Sequence, residues 1–288
     1  GFIVGRGAAG GIFRGTDRPI LSHLYSEKRG WIFNLHELAW AMGATLGPIF
    51  VNLILSFGSW RLAYYSLAIL FIPVFLIVLN LETPSIGKSE EILSISKLRN
   101  MLSNPAVFGM VTIIILNAGI EGGFFTWLPY YVAQSLAPST ANLALSGYLA
   151  AYIPGRYFYS QISKSDNYLS VVLLNTLLIS ILLFLAFFIF STYIMLGLVF
   201  LVGFLVSGNF PTLLAMGTDT FPEYSGPMNA LAMGSSALGM AIFPAIMGVI
   251  TEFHSAATAM RLLITLPISI FLICLLFKNK IQKQITHL

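Results

Sequence analysis

The chain has 288 residues, of which 57% are hydrophobic and 9% are charged, with 15 Lys and Arg against 11 Asp and Glu. A soluble domain carries about 25% charged residues, so this composition excludes a water-exposed globular protein, a disordered chain and a nucleic-acid-binding domain. The single cysteine, Cys274, excludes a disulfide-stapled domain and leaves the redox compartment open.

Nine segments meet or approach the ~20 apolar residues that a helix needs to cross the hydrocarbon core of a membrane. Helices are the favoured interpretation, because backbone amides in lipid must be paired and the alternation typical of a membrane β-strand is absent. The segments are 1–25, 31–56, 60–81, 105–134, 141–162, 168–190, 193–216, 226–251 and 257–277. The sequence therefore predicts an all-α membrane protein.

The longest polar stretch separates the third and fourth predicted spans. It covers residues 82–104 and is interpreted as a central linker with a short amphipathic helix over 90–102. We therefore expect four parts in the chain. They are residues 1–81, the linker, residues 105–277 and a tail over 278–288.

Basic residues fall mainly on one side of the predicted spans. With the linker placed in the cytoplasm, only Arg61 and Arg261 lie outside. The basic residues inside are Lys28, Arg29, Lys88, Lys97, Arg99, Lys164, Lys278, Lys280 and Lys283. This bias follows the positive-inside rule and predicts a multi-pass protein of the cell membrane with a cytoplasmic C-terminus.

An internal repeat relates the two ends of the chain. Residues 1–79 match 197–275 at 20 positions without a gap, at an offset of 196. The second copy follows three predicted helices, whereas the first follows none. We therefore expect three further helices, roughly 90 residues, in the complete molecule, which would then contain two parallel halves of six helices.

Several short motifs resemble those of the major facilitator superfamily. Residues 43–48 are similar to the glycine-proline motif of its fifth helix, and residues 58–61 resemble the turn before its sixth. Residues 124–131 resemble a seventh-helix signature, and residues 155–166 hold a degenerate form of the loop motif between helices eight and nine. The resemblance implies a major-facilitator-type bundle of two pseudo-symmetric halves, with nine of its twelve transmembrane helices, numbers 4 to 12, present here.

The subgroup within that superfamily is open between two branches. Residues 34–37 and 209–213 are similar to the fucose-permease-like branch. The positive charges of the first predicted span favour an organic-anion branch instead.

The first predicted span contains a cluster of three charged residues, Arg14, Asp17 and Arg18, in addition to Arg6. Asp17 is about 12 Å from the end of that span, where an uncompensated charge costs at least ~2.5–3.5 kcal/mol. The repeat places Phe210, Leu213 and Leu214 at the positions equivalent to Arg14, Asp17 and Arg18, so the fold does not require charges there. We expect the arginines to bind substrate and Asp17 to hold an arginine or accept a proton. The alternative is a structural Arg–Asp pair.

A second candidate site lies around Glu121 in the fourth predicted span. Two glycines follow Glu121 and weaken the helix, as in transporters that bind substrates at broken helices. We expect Glu121 to load and release a proton, and Asn117 and Trp127 to contact substrate. The alternative for Glu121 is a hydrated carboxylate at the outer mouth. Tyr130 and Tyr131 are interpreted mainly as interfacial anchors.

Asn209 lies two residues before Pro211, and Thr212 directly follows it. Both are candidate substrate contacts; the alternative is that they form hydrogen bonds between helices. Small residues and prolines elsewhere are interpreted as packing and gating positions. These positions are Gly43, Gly47, Pro48, Gly239 and Pro244.

Two acids occupy equivalent positions before helices of the repeat, Glu27 and Glu223. A negative charge near a helix N-terminus is stabilising, which would explain the positions of both acids. The alternative is an inner gate in which Glu223 or Asp219 pairs with Arg156 or Lys164.

These features together predict a secondary active transporter that moves a small polar solute, an organic anion or a sugar, by alternating access with proton coupling. We expect a monomer whose partners are its substrate, protons and membrane lipid, with no nucleic acid, cofactor or metal. The alternatives are a membrane enzyme or lipid scramblase on the same helices, or an inactive fragment. The sequence contains no nucleotide-binding glycine loop, hydrolase elbow or zinc cluster, which argues against an enzyme.

Overall fold

The structure, a computed structural model, describes residues 2–24, 29–80, 95–162, 167–190, 192–220 and 225–285. Every regular element in these ranges is helical. The α-helices are α1 (Phe2–Leu24), α2 (Arg29–Leu55), α3 (Trp60–Leu79), α4 (Ile95–Ser103), α5 (Pro105–Ala133), α6 (Pro138–Ala150), α7 (Tyr152–Ile162), α8 (Tyr168–Phe184), α9 (Thr192–Thr220), α10 (Ser225–Phe253), α11 (Ala256–Leu262) and α12 (Thr265–Ile285). A π-helical segment, Leu185–Ile189, extends α8.

Helices of membrane-crossing length and apolarity dominate the fold, as the composition predicts. Over the described residues there are seven such spans. They are Leu38–Leu55, Trp60–Leu79, Pro105–Ala133, Tyr168–Ile189, Thr192–Gly217, Pro227–Phe253 and Ala256–Leu276. The all-helical membrane fold is therefore confirmed.

The remaining two predicted spans are helical but differ from the other seven. Helix α1 is less apolar because of its charged residues. The predicted span over 141–162 begins earlier, at Pro138, and is divided into α6 and α7 at Ala151. Pro154 accounts for the division, because it has no N–H to donate to the carbonyl four residues before it.

Helical hydrogen bonds nevertheless continue through the division. The N–H of Ala151 donates to the Gly147 carbonyl at 3.2 Å, and the N–H of Gly155 donates to the Ala151 carbonyl at 3.1 Å. The path from Pro138 to Ile162 therefore covers about 37 Å at 1.5 Å per residue, enough to cross the hydrocarbon core.

The internal repeat recurs in the helix boundaries. Helices α3 and α11 begin at equivalent residues, Trp60 and Ala256, and share a serine N-cap. The Ser59 side chain accepts from the N–H of residue 61, and the Ser255 side chain from that of residue 258. The repeat is therefore structural as well as sequential.

The described chain separates into two compact units. One comprises residues 1–43 and 53–92, and the other comprises residues 44–52 and 93–288. In the second unit α5 is the central helix: 15 of its 29 residues are buried, and it contacts α6, α9, α10, α11 and α12. Its apolar residues lie on every face, which is the pattern of a helix surrounded by others.

Local caps fix where α5 begins. The Asn104 side chain accepts a hydrogen bond from the N–H of Ala106 at 2.9 Å, and Pro105 occupies the first turn. An asparagine cap followed by proline is a strong start signal, because proline's fixed φ suits the first helical position. The short helix α4 precedes this cap and lies mostly within the predicted helix over 90–102; residues 81–94 lie outside the described ranges.

The part of α2 that belongs to the second unit makes a polar contact with α6. The Asn52 side chain donates to the Ser139 carbonyl at 2.9 Å and accepts from the Asn142 side chain at 2.6 Å. These bonds use both ends of the Asn52 amide and tie it to the first turn of α6.

Candidate functional site

Glu121 is the acidic residue at the centre of the second unit. It lies near the middle of α5, about 24 Å from the start of the helix and about 18 Å from its end. The residue is half-buried, and the helix around it is otherwise apolar or made of small residues. Ionisable residues at such depth are costly and mark functional sites in membrane proteins.

A chain of hydrogen bonds from three other helices ends at Glu121. The Asn117 side chain donates to Glu121 Oε1 at 3.1 Å, and the Asn209 side chain donates to Asn117 Oδ1 at 2.8 Å. The Asn175 side chain donates to Asn209 Oδ1 at 2.9 Å, and the Tyr159 hydroxyl donates to Asn175 Oδ1 at 2.8 Å. We call the four residues Tyr159, Asn175, Asn209 and Asn117 the asparagine ladder.

The ladder is almost completely removed from solvent. Each of its four residues is at most 3% exposed. A buried amide without a partner costs about 1–3 kcal/mol, so such groups persist in a core only when they are hydrogen-bonded. The ladder therefore links α5, α7, α8 and α9 around Glu121 through bonds that satisfy the amides of all three asparagines.

A pair of tyrosines packs against α5 close to Glu121. The hydroxyls of Tyr148 on α6 and Tyr152 on α7 share a hydrogen bond of 3.0 Å, and both side chains are buried. The Tyr148 ring stacks on Phe124, one turn along α5 from Glu121, with ring centroids 4.7 Å apart. The tyrosine pair thus packs against α5 one helical turn from Glu121.

Arg156, a predicted gating residue, lies beyond the tyrosine pair. Its guanidinium carbon is 5.7 Å from the centroid of the Tyr152 ring, a cation–π distance. The predicted partner Glu223 lies outside the described residues, as do Lys164 and the side chain of Asp219. The inner gate stays a prediction.

Trp127 joins α5 to α10. Its indole N–H donates to the Pro244 carbonyl at 3.0 Å, and its ring meets Tyr130 edge-on with centroids 5.6 Å apart. Tyr130 is exposed, and Tyr131 is half-buried with its ring edge-on to Phe187. In this arrangement the indole N–H has a protein partner, and the ring remains half-buried.

We expect Trp127→Phe to weaken the contact between α5 and α10. The phenylalanine keeps an aromatic ring but removes the donor to the Pro244 carbonyl, a loss of about 1 kcal/mol. Thermal unfolding of the purified protein in detergent should show a decrease of about 2–4 °C in Tm. Tyr130→Phe is the control, and an equal decrease in both variants would contradict this role.

Glycines allow α5 and α10 to approach closely beside this site. A Cβ added at Gly122 would lie 3.0 Å from the Met240 Cα and from Pro244 Cγ, and one at Gly239 would meet the Ile115 carbonyl oxygen. By contrast, a Cβ at Gly43 or Gly47 would meet no described atom within 4 Å. Pro48 and Pro244 both lie inside their helices, α2 and α10.

The structure brings together Glu121, Asn117 and Asn209 among the predicted site residues. The amides of Asn117 and Asn209 are used within the ladder, so their influence on a substrate would pass through Glu121. Thr212 is buried one turn further along α9 than Asn209. The side chains of Arg14, Asp17 and Arg18 lie outside the described part of the chain, and their roles stay predictions.

Four residues near Glu121 were not predicted from the sequence: Asn175, Tyr148, Tyr152 and Tyr159. A signal for Asn175 was present, because it is an amide within a long apolar stretch of α8. A polar residue at that depth needs a partner. The tyrosines carried no such signal, because tyrosine is common in membrane helices for reasons unrelated to a site.

Comparisons with known proteins relate nearly the whole chain to one family. The family model described as Major Facilitator Superfamily matches residues 2–137 and 131–285. The Protein TsgA homolog of Buchnera aphidicola subsp. Baizongia pistaciae (strain Bp) is 23% identical over 286 residues, which cover 98% of this chain and 72% of that protein. The Glucose/mannose transporter GlcP of Bacillus subtilis (strain 168) is 22% identical over 227 residues, 74% of this chain and 55% of that protein.

A solved structure shares the fold. The crystal structure of the Major Facilitator Superfamily transporter FucP in the outward conformation matches with a TM-score of 0.57 and 15% sequence identity. The match covers 74% of this chain and 53% of the FucP chain. A second Protein TsgA homolog, from Buchnera aphidicola subsp. Acyrthosiphon pisum (strain Tuc7), is 26% identical over 183 residues, 62% of this chain and 46% of that protein. The chain thus spans about half the length of FucP, of GlcP and of this second homolog.

Proposed function

Because the chain belongs to the Major Facilitator Superfamily, we propose that it acts in secondary active transport of a small polar solute, by alternating access and with coupling to protons. Membership of this family places the chain among multi-pass membrane transporters and not among enzymes. The single observation that carries the coupling proposal is the position of Glu121, midway along a membrane-spanning helix and hydrogen-bonded to a buried ladder. A carboxyl group in such a place can bind and release a proton as its access to water changes.

A sugar is the proposed substrate. One of the similar proteins, the Glucose/mannose transporter GlcP, carries sugar names. The chemistry of the site agrees, because Glu121 would repel an organic anion but accept hydrogen bonds from sugar hydroxyls. Trp127, further along the same helix, offers a half-buried aromatic face. The arginines of α1 that are expected to bind substrate favour an organic anion instead. The two substrate classes therefore need a direct comparison.

Glucose and gluconate provide that comparison, since they are similar in size and hydroxyl pattern but differ in charge. We expect the full-length protein in proteoliposomes to show saturable glucose uptake and counterflow, both stimulated by an inward proton gradient. Gluconate should compete poorly. Saturable gluconate uptake without glucose uptake would replace the sugar proposal with the organic-anion one, and uptake of neither above protein-free vesicles would contradict both.

Arg14 and Arg18 are proposed to contact the substrate, and Asp17 to hold an arginine or take part in proton coupling. A hydrogen bond from a charged donor is worth about 1.5–3 kcal/mol, so we expect Arg14→Gln with Arg18→Gln to reduce glucose uptake by about tenfold or more. Arg61→Gln is the control, because that exposed arginine lies against Trp60 at the start of α3. Unchanged uptake in the double variant would contradict the role.

The orientation is part of the same proposal. The distribution of basic residues supports a cytoplasmic C-terminal tail. We also propose that the protein works as a monomer, with substrate, protons and membrane lipid as its partners.

A further inference from the structure

We propose that Asn175 is a positioning residue for Glu121: it is anchored at the Leu205 carbonyl and fixes the direction of the asparagine ladder, so that Glu121 always meets an N–H donor. The inference rests on the proposed role of Glu121 in transport. Asn175 lies on a different helix, α8, and reaches Glu121 only through Asn209 and Asn117.

The anchor is the reason the direction is fixed. The Asn175 amide nitrogen donates to the Leu205 carbonyl at 3.3 Å as well as to Asn209 Oδ1 at 2.9 Å. A backbone carbonyl can only accept, so the group that faces Leu205 must be the amide nitrogen of Asn175. The amide oxygen of Asn175 then faces the opposite way, where the Tyr159 hydroxyl donates to it.

Each further amide in the ladder is oriented by the one before it. Because Asn175 offers a donor, Asn209 must present its oxygen to Asn175 and its nitrogen to Asn117. Asn117 in turn must present its oxygen to Asn209 and its nitrogen to Glu121. All four hydrogen bonds of the ladder therefore point toward Glu121.

This direction matters most when Glu121 carries a proton. An ionised carboxylate accepts hydrogen bonds only, whereas a protonated carboxyl group can also donate. An unanchored ladder could then turn over and present the Asn117 oxygen to Glu121. With Asn175 anchored, Oε1 is held by the Asn117 donor in both protonation states, and the carboxyl group keeps one position through the cycle.

Two neighbouring side chains separate this role from simple burial of a polar group. Thr176 is also fully buried on α8, but its hydroxyl donates to the Val172 and Leu173 carbonyls of its own helix. Tyr159 belongs to the ladder, but its removal leaves Asn175 anchored at Leu205. Thr176→Val and Tyr159→Phe therefore each remove a buried hydrogen bond without releasing the direction of the ladder.

The test measures KM for glucose counterflow by the full-length protein in proteoliposomes. We expect Asn175→Leu to raise KM about fivefold or more, while T176V and Y159F stay within about twofold of wild type. In a Glu121→Gln background N175L should change KM less than twofold, because a glutamine side chain can donate or accept and fits either direction. A KM unchanged by N175L, an equal increase in both backgrounds, or an equal increase in T176V would overturn the inference.

Two further measurements cover other failures. If N175L does not fold, Asn175→Ala removes the amide without adding apolar bulk and is compared in the same way. If the wild-type protein shows no counterflow of glucose or gluconate, the proposed function fails, and thermal unfolding then tests the ladder alone. The Tm decrease caused by N175L should shrink in the E121Q background while that of T176V does not; additive decreases for both would overturn the inference.

Discussion

Replacing Glu121 with glutamine is expected to abolish sugar accumulation driven by a pH gradient and to leave counterflow in place. A pH difference of about two units is worth about 2.7 kcal/mol, so one coupled proton supports an accumulation of about 100-fold. Glutamine has nearly the same shape and can still pair with Asn117, but it cannot bind and release a proton. Accumulation in proteoliposomes should therefore fall to a ratio of about one.

Glu252→Gln provides the matched control for this experiment. Glu252 is an exposed acid near the end of α10 and makes no contribution to the site around Glu121. Its substitution should leave the accumulation ratio within about twofold of wild type. Accumulation that persists in E121Q, or is lost equally in E252Q, would remove the proton role from Glu121.

Gly239→Ala is expected to destabilise the second unit severely, although it adds only one methyl group. The new Cβ would meet the Ile115 carbonyl oxygen and lie 2.9 Å from the Ala118 Cβ, so α5 and α10 would have to separate. Overpacking of this kind costs about 1–3 kcal/mol when the neighbours can shift, and backbone atoms shift less readily than side-chain ends. We expect Tm to fall by about 5 °C or more, with poor recovery of folded protein.

The same substitution elsewhere in α10 should have the opposite sign. A Cβ added at Gly234 would meet no described atom within 4 Å. Alanine is favoured over glycine by about 1 kcal/mol inside a helix, so Gly234→Ala should leave Tm unchanged or raise it. Thermal unfolding of both variants in detergent tests this difference. Similar decreases in Tm for both variants would contradict the proposal that the close contact of α5 and α10 at Gly239 makes the substitution destabilising.

Much of the fold followed from the sequence because lipid reduces the choices open to a backbone. The predicted spans 60–81 and 105–134 correspond within about two residues to α3 and α5. The length of an apolar segment and the residues that cap it can both be identified from the sequence. The predicted span 141–162 was less accurate at its start. Its helix includes Pro138 and Ser139, which are not apolar enough to be counted but suit the first turn of a helix.

The candidate site could be predicted only in part. Glu121 was identifiable because a carboxylate in an apolar helix is costly, Asn117 because it lies near the glycines that follow Glu121, and Asn209 because it lies near Pro211. Their mutual hydrogen bond joins residues 92 positions apart, and it depends on how α5 and α9 are rotated about their axes. An apolar sequence does not specify that rotation, because every face of such a helix reads alike.

The matching serine caps at Ser59 and Ser255 bear on the history of the chain. Only 20 of 79 aligned residues are still identical between the copies, yet the alignment contains no insertion or deletion, and the serine-capped starts of α3 and α11 coincide. Duplication therefore preceded most of the divergence, and connector length has outlasted side-chain identity. Grafts that exchange whole copies between the two positions can keep every junction in register.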